Sequence, residues 1–156
     1  MRLALYQPDI PQNTGTMLRM AACLGVAVDI IRPTGFDISN KALRRSMMDY
    51  GDALECCRHD SWAAFIAHLQ AQDEGDGAPR LIAVTTKGAV SYTEHSFTDR
   101  DILLFGRESS GLPDHVHDTA HARITIPMQP GMRSLNVAVA AAMVTGEALR
   151  QVRANR

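Results

Sequence analysis

Three stretches of this 156-residue chain collect the residue types that handle ligands: "AVTTKG" (83–88), "LLFGRESSGLP" (103–113) and "ITIPMQPGMRSLN" (124–136). In the second, an apolar run gives way at once to Gly106, Arg107, Glu108, Ser109, Ser110 and Gly111. Gly106 and Gly111 have the spacing of a phosphate-cradling G-x-x-x-x-G-K-[ST] loop, but Leu112 and Pro113 stand where that loop needs lysine and a hydroxyl. A nucleoside triphosphate is therefore not the expected ligand. A nucleophile elbow, G-x-S-x-G, would need glycine at Arg107, so a hydrolase of that type is excluded. The first strand leads into "YQPDIPQNTG", with no glycine before Gly15. Ordinary dinucleotide binding and the common methyltransferase arrangement both lose support there. Two clusters, His115/His117/His121 and Cys56-Cys57-x-His59, are candidates for metal, but neither completes a ligand set at a recognised spacing. No metal is expected.

The elements that must position these loops are legible from periodicity. Strand-like runs at 3–6, 26–31, 53–57, 81–85, 102–105 and 123–126 alternate with helix-period segments, which predicts an α/β fold with a mostly parallel sheet. Ligands in such sheets sit outside the carboxyl ends of the strands, so the three loops are expected to enclose one pocket. The first helix should start near Asn13 as its cap and stop at Gly25, burying Met17, Met20, Ala21 and Leu24 as one stripe. A second, over 40–48, puts Lys41, Arg44 and Arg45 on one face. A third runs from a cap at Asp60 to residue 72, followed by a surface loop over 73–79. The last, over 134–152, is apolar nearly all round until Gly146, and a partner subunit is the expected cover.

Composition sets outer bounds. A chain of 156 residues with 46% hydrophobic content suits one domain. With a net charge of −1 there is no overall basic field, so nucleic acid would have to be met by local patches. Cys23, Cys56 and Cys57 are odd in number and two are adjacent, which points to a reducing compartment. The apolar run near the N-terminus is too short for a signal peptide or a membrane span, so a cytoplasmic protein with no membrane partner is expected.

Together, "IPQNTGTMLRMAACLG", "LLFGRESSGLP" and "ITIPMQPGMRSLNVAVAAAM" closely resemble the three motifs of the SpoU branch of the SPOUT methyltransferases. The likeness runs from Tyr6 to the last helix and is strongest to the minimal tRNA ribose 2′-O-methyltransferases of the anticodon wobble nucleotide. It implies a single domain over 1–156 whose α/β sheet ends in a deep C-terminal trefoil knot, which general topology rules would not suggest. It implies S-adenosyl-L-methionine as cofactor, lined by Val84, Gly106, Gly111, Ile126 and Ser134, the two glycines letting backbone approach the ligand closely.

The resemblance also names Arg19, Asn13, Glu108 and Asn136 as the catalytic set. A guanidinium stays protonated, so Arg19 is expected to position and stabilise rather than take a proton, leaving a phosphate or water as open choices of acceptor. Asn13, Glu108 and Asn136 would orient Arg19, the ribose and the loops; read from the residues alone, Asn13 is first a helix cap and Asn136 a partner for loop backbone. Arg107 and Ser110 fall at variable motif positions and receive no role. Lys41, Arg44, Arg45 and Arg133 are candidates to neutralise RNA phosphates, with Tyr6 or Tyr50 to stack on a base. The chain lacks the extra RNA-binding domain of many SpoU relatives, so a homodimer is the expected platform for the anticodon stem-loop. The implied reaction is 2′-O-methylation of tRNA position 34, in leucine tRNAs by family analogy. The alternatives are another tRNA or rRNA site, or a non-catalytic RNA-binding protein of the same fold.

Overall fold

The computed structural model describes residues 1–37, 54–71, 79–88 and 90–154. Among the described residues, seven strands form one sheet in which every strand pairing is parallel: β1 (Arg2–Tyr6), β2 (Ala27–Ile31), β3 (Cys56–His59), β4 (Leu81–Val84), β5 (Val90–Ser91), β6 (Ile102–Phe105) and β7 (Ala122–Thr125). Their spatial order is β3-β2-β1-β6-β4-β7-β5. The helices are α1 (Pro11–Leu24), α2 (Trp62–Ala71), α3 (Asp114–Thr119) and α4 (Val137–Ala154). The α/β class and parallel sheet match the expectation from periodicity; the two-residue β5 was not anticipated.

Strands buried on both faces carry nearly continuous apolar runs, as parallel sheets require. Leu3, Leu5, Leu103 and Phe105 pack with Met17, Leu18 and Ala21 of α1 and Ala138, Ala141, Val144 and Ala148 of α4. Their alternates Ala4, Tyr6, Ile102 and Leu104 pack with Phe65 and Leu69 of α2 and Val116 of α3. Leu103 and Leu104 are fully buried, and truncating such a leucine to alanine costs about 2–5 kcal/mol.

Several boundaries differ from expectation for physical reasons. Helix α1 begins at Pro11 rather than Asn13, and its N-cap, Ile10, makes no side-chain cap bond. Proline needs no N–H partner and arrives with helical φ, so it starts the helix without a polar cap. Asn13 falls inside the first turn with its side chain available elsewhere. Gly25 does end the helix in the left-handed conformation, with φ 67°. Thr14 and Leu18 join Met17 and Ala21 in the buried stripe, whereas Met20 and Leu24 are only partly buried. Helix α2 is capped by Ser61, whose Oγ accepts the Ala64 N–H at 3.1 Å, while Asp60 instead pairs with Arg32. Strand β3 ends at His59, two residues beyond the expected 57. Helix α4 starts at Val137, so Ser134 lies in the loop before it. The expected 40–48 helix with Lys41, Arg44 and Arg45, Tyr50 and most of the 73–79 loop lie outside the described residues. No helix among the described residues is long and apolar enough to cross a membrane.

Candidate active site

The sheet register sets the carboxyl ends of three strands side by side: Val84 of β4 pairs with Phe105 of β6 and with Ile124 of β7. The loops leaving them, together with residues 133–137, line a cavity of about 600 Å³, a volume typical of small-ligand sites. Val84, Gly106, Gly111, Ile126 and Ser134 all lie on its wall, as do Asn13, Glu108, Arg133 and Asn136. Arg19 is not among the lining residues. It sits on the exposed stripe of α1 with Gln12, Thr16 and Cys23.

Residues 106–111 fold back on themselves. The Arg107 N–H donates to the Gly111 carbonyl at 3.2 Å and the Gly111 N–H to the Arg107 carbonyl at 2.8 Å. A Cβ on Gly106 would stand 2.5 Å from the Gly111 carbonyl carbon and 2.6 Å from the Leu112 nitrogen. The loop's own backbone is thus a reason for glycine at 106, on a position that also lies on the cavity wall. Gly111 is required by its φ of 69°, with nothing near its missing side chain.

One directional chain of hydrogen bonds ties three distant segments together at the cavity rim. The Asn136 side-chain oxygen accepts the Ala138 N–H at 2.8 Å and the Val139 N–H at 3.3 Å, capping α4. Its Nδ2 must then point away, and it donates to Asn13 Oδ1 at 2.9 Å across 123 residues of sequence. Asn13 Nδ2 in turn donates to Glu108 Oε1 at 3.3 Å. The other Glu108 oxygen accepts the Asp9 N–H at 3.0 Å, and Asp9 Oδ1 accepts the Glu108 N–H at 3.0 Å, a reciprocal clasp. Ser109 Oγ also donates to Asp9, and Arg107 Nε stands 3.5 Å from it. Burial and then the neighbouring Asp9 push the Glu108 carboxyl above its ordinary 4.5. Asp9 is held well below its ordinary 3.8, chiefly through its contact with the Glu108 side chain. Sequence reading passed over Asp9; its signal was an acidic residue between a strand end and the Pro11 helix start.

Other expected roles are redistributed. Tyr6 is 6% exposed and meets Trp62 edge-on at 5.7 Å between ring centroids, so it has no face open for a base. Helix α3 ends before His121, whose Nδ1 accepts the Leu81 N–H at 3.0 Å, and the three-histidine cluster disperses. A different group does converge: ligand atoms of Asp29, His59 and His68 lie within 4.8 Å of one another. Both Asp29 oxygens are engaged, Oδ2 by Arg2 Nε and Oδ1 by His59 Nε2, each at 2.8 Å. The Arg2–Asp29 ion pair and the Asp29–His59 hydrogen bond together tie β1, β2 and β3.

Comparison with known sequences adds the decisive observation: the SpoU rRNA Methylase family matches residues 1–146. The chain belongs to this SpoU family. It is 56% identical over 150 residues to the tRNA (cytidine(34)-2'-O)-methyltransferase of Beijerinckia indica, across 96% of this chain and 91% of that protein. The protein of the same name in Escherichia coli is 39% identical over 154 residues, covering 97% and 94%. A solved structure giving insight into the 2-OH methylation of C/U34 on tRNA matches with a TM-score of 0.90 at 41% identity, over 99% of this chain and 97% of that one. The SpoU methyltransferase AviRb of Streptomyces viridochromogenes, in complex with AdoMet, matches with a TM-score of 0.92 at 25% identity, over all of this chain and 61% of that one.

Proposed function

We propose that this chain is an S-adenosyl-L-methionine-dependent methyltransferase that modifies the ribose 2′-oxygen at the wobble position, 34, of tRNA. The observation that carries the reading is the Asn136–Asn13–Glu108 chain at the rim of a cavity built from the three strand-end loops. The names of the relatives and the AdoMet complex of AviRb support the substrate and the cofactor.

The residues present suit that cofactor. The cavity wall joins apolar residues, Val84, Phe105, Leu112 and Ile126, to polar ones, Thr85, Ser134 and Asn136, a mixture that suits a ligand with an aromatic base and a polar tail. When bound, S-adenosylmethionine supplies a sulfonium methyl already activated for transfer. The protein's task is then alignment and management of one hydroxyl proton. The fixed polarity of the chain leaves Asn13 and Asn136 pre-set, without reorganisation, to orient a ribose at the rim. Glu108 has both oxygens committed to Asp9 and Asn13, so it clamps the loop rather than accepting the proton. Arg133, exposed on the wall, is placed to neutralise a phosphate.

In this reading the chain works in the cytoplasm as a homodimer on the anticodon stem-loop of leucine tRNAs, and its C-terminal segment forms a trefoil knot. Leu135, Val139 and Met143 at α4 and Ile10 before α1 are 41, 50, 37 and 40% exposed, an apolar surface for a second copy to cover. Arg19 belongs to the same picture, because a residue outside its own cavity wall can serve the rim of a partner.

The test is incubation with S-adenosylmethionine and unmodified tRNA, followed by nucleoside-resolved mass spectrometry of anticodon fragments. A new 2′-O-methyl at position 34 is expected. Methyl gain elsewhere in tRNA or in ribosomal RNA, with none at 34, would refute the assigned site, and none on any RNA would refute the activity.

A further inference from the structure

His117, in the last turn of α3, stands apart from the other lining residues. It is 5% exposed, lies on the cavity wall, and its Nδ1 is sealed from solvent with no hydrogen-bond partner. Its backbone carbonyl is engaged by the Ala120 N–H and by Arg123 Nε, both at 3.2 Å, so the turn that carries the ring is pinned. Burial, Arg123 and Lys87 lower the imidazole's proton affinity, against the opposing pull of Asp114 and Asp118, which favours the neutral ring.

A neutral imidazole carries one proton, and the surroundings decide which nitrogen has it. On Nδ1 the proton would be a buried donor with no acceptor, at a cost of about 1–3 kcal/mol. A bare buried lone pair is better tolerated than an orphaned N–H. The proton is therefore favoured on Nε2, the ring nitrogen that is not among the sealed, unpartnered atoms, and for a residue of the cavity wall it is the nitrogen through which a ligand can be met. A rigid N–H donor in a largely buried wall calls for a ligand atom with a lone pair and no hydrogen. A carboxylate of the ligand would be better served by the charged Lys87, Arg107 and Arg133 on the same wall. The ring nitrogens of a purine fit a neutral, oriented donor.

We propose that His117 recognises the adenine ring of the cofactor, its Nε2–H donating to one purine ring nitrogen. The proposal rests on the S-adenosylmethionine reading above and assigns a side-chain contact to the adenine end of that ligand.

Calorimetric titration with S-adenosylhomocysteine tests it, using wild type, His117→Leu and His117→Gln, the last placing an amide N–H near the position of Nε2. The leucine variant should bind about tenfold more weakly, equivalent to about 1.4 kcal/mol, and the glutamine variant within about threefold of wild type. One of the 1-deaza, 3-deaza and 7-deaza analogues should lose the same factor on wild type and nothing further on His117→Leu. 5′-Methylthioadenosine, which has no carboxylate, should show the same sensitivity to His117→Leu. Equal binding by wild type and His117→Leu, the same loss for every analogue on both proteins, or disappearance of the effect with methylthioadenosine would overturn the assignment. The analogue series on wild type and the glutamine variant decide the matter even if His117→Leu folds poorly. Failure of wild type to bind S-adenosylhomocysteine at all would instead overturn the cofactor reading, and this proposal with it.

Discussion

The hydrogen-bond chain at the cavity rim has a direction, and direction can be inverted. Asn136 cannot turn its amide around, because its oxygen serves two N–H groups of α4 that have no other partner. Its Nδ2 therefore requires an acceptor at Asn13, and Asn13 Nδ2 requires one at Glu108. Glu108→Gln keeps the size but has only one oxygen for two donors, Asp9 N–H and Asn13 Nδ2. However the amides rotate, one N–H ends facing another. The expected cost is about 2 kcal/mol, within the range of a half-buried unsatisfied group, or roughly 4–8 °C in melting temperature for a chain of this size. Asn13→Asp alone sets a carboxylate against that of Glu108 at a contact of 3.3 Å and should cost at least as much. Combining the two restores every bond: the new aspartate accepts from Asn136 and from the new glutamine, whose oxygen accepts the Asp9 N–H. Net charge is unchanged. Thermal and urea unfolding of the four proteins should yield a coupling of about 1–3 kcal/mol in favour of the pair. Single-variant losses that simply add, to within about 0.5 kcal/mol, would refute a directional chain.

Three further outcomes follow from the geometry. Gly106→Ala drives a methyl into the Gly111–Leu112 backbone and should abolish measurable S-adenosylhomocysteine binding. Gly25→Ala meets no atom within 4 Å and should cost only its φ, roughly 1–2 kcal/mol, with affinity intact; wild-type affinity in Gly106→Ala would contradict the packing account. Arg19→Ala should lower methyl transfer about 100-fold while leaving cofactor affinity unchanged, and a collapse of affinity in calorimetry would sink its placement off the wall. Burial pushes the Asp101 carboxyl up, but hydrogen bonds from Arg80 and from the Thr98 N–H and hydroxyl outweigh it and hold the group below 3.8. Its folded value is depressed, so its stabilisation is complete above 3.8 and lost as pH falls through the folded value. Asp101→Asn should flatten the urea midpoint profile below about pH 4, and an unchanged acid slope would refute this.

Much of this architecture is written in periodicity that a reader can follow. The alternation of Leu3, Leu5, Leu103 and Phe105 with Ala4, Tyr6, Ile102 and Leu104 already implies a sheet covered on both faces, and the three strand-end loops do share one cavity. Pair relations across the fold were not legible. Asn13 reads as a cap until Pro11 is seen to start the helix, and only the register brings Asn13 to Asn136. Asp9 had no partner within its own segment, because its partner Glu108 lies 99 residues away. The Asp29–His59–His68 group escaped for the same reason: its members come from β2, β3 and α2, with no common spacing. Strand β5 is two residues long, below what an alternating pattern can signal.

The strand order carries a consequence for synthesis. β1 is an interior strand, with β2 on one side and β6 on the other, so one of its edges waits for residues 102–105. Until they leave the ribosome, an apolar strand with unpaired amides and carbonyls stands open, the kind of edge on which chains cross-pair and aggregate. Contacts this distant along the chain also slow closure. The rim needs still more, because Asn136 is its last link. The cavity rim is therefore complete only once residue 136 has joined residue 13, and a pause in translation before residue 102 would prolong the exposure of the open edge.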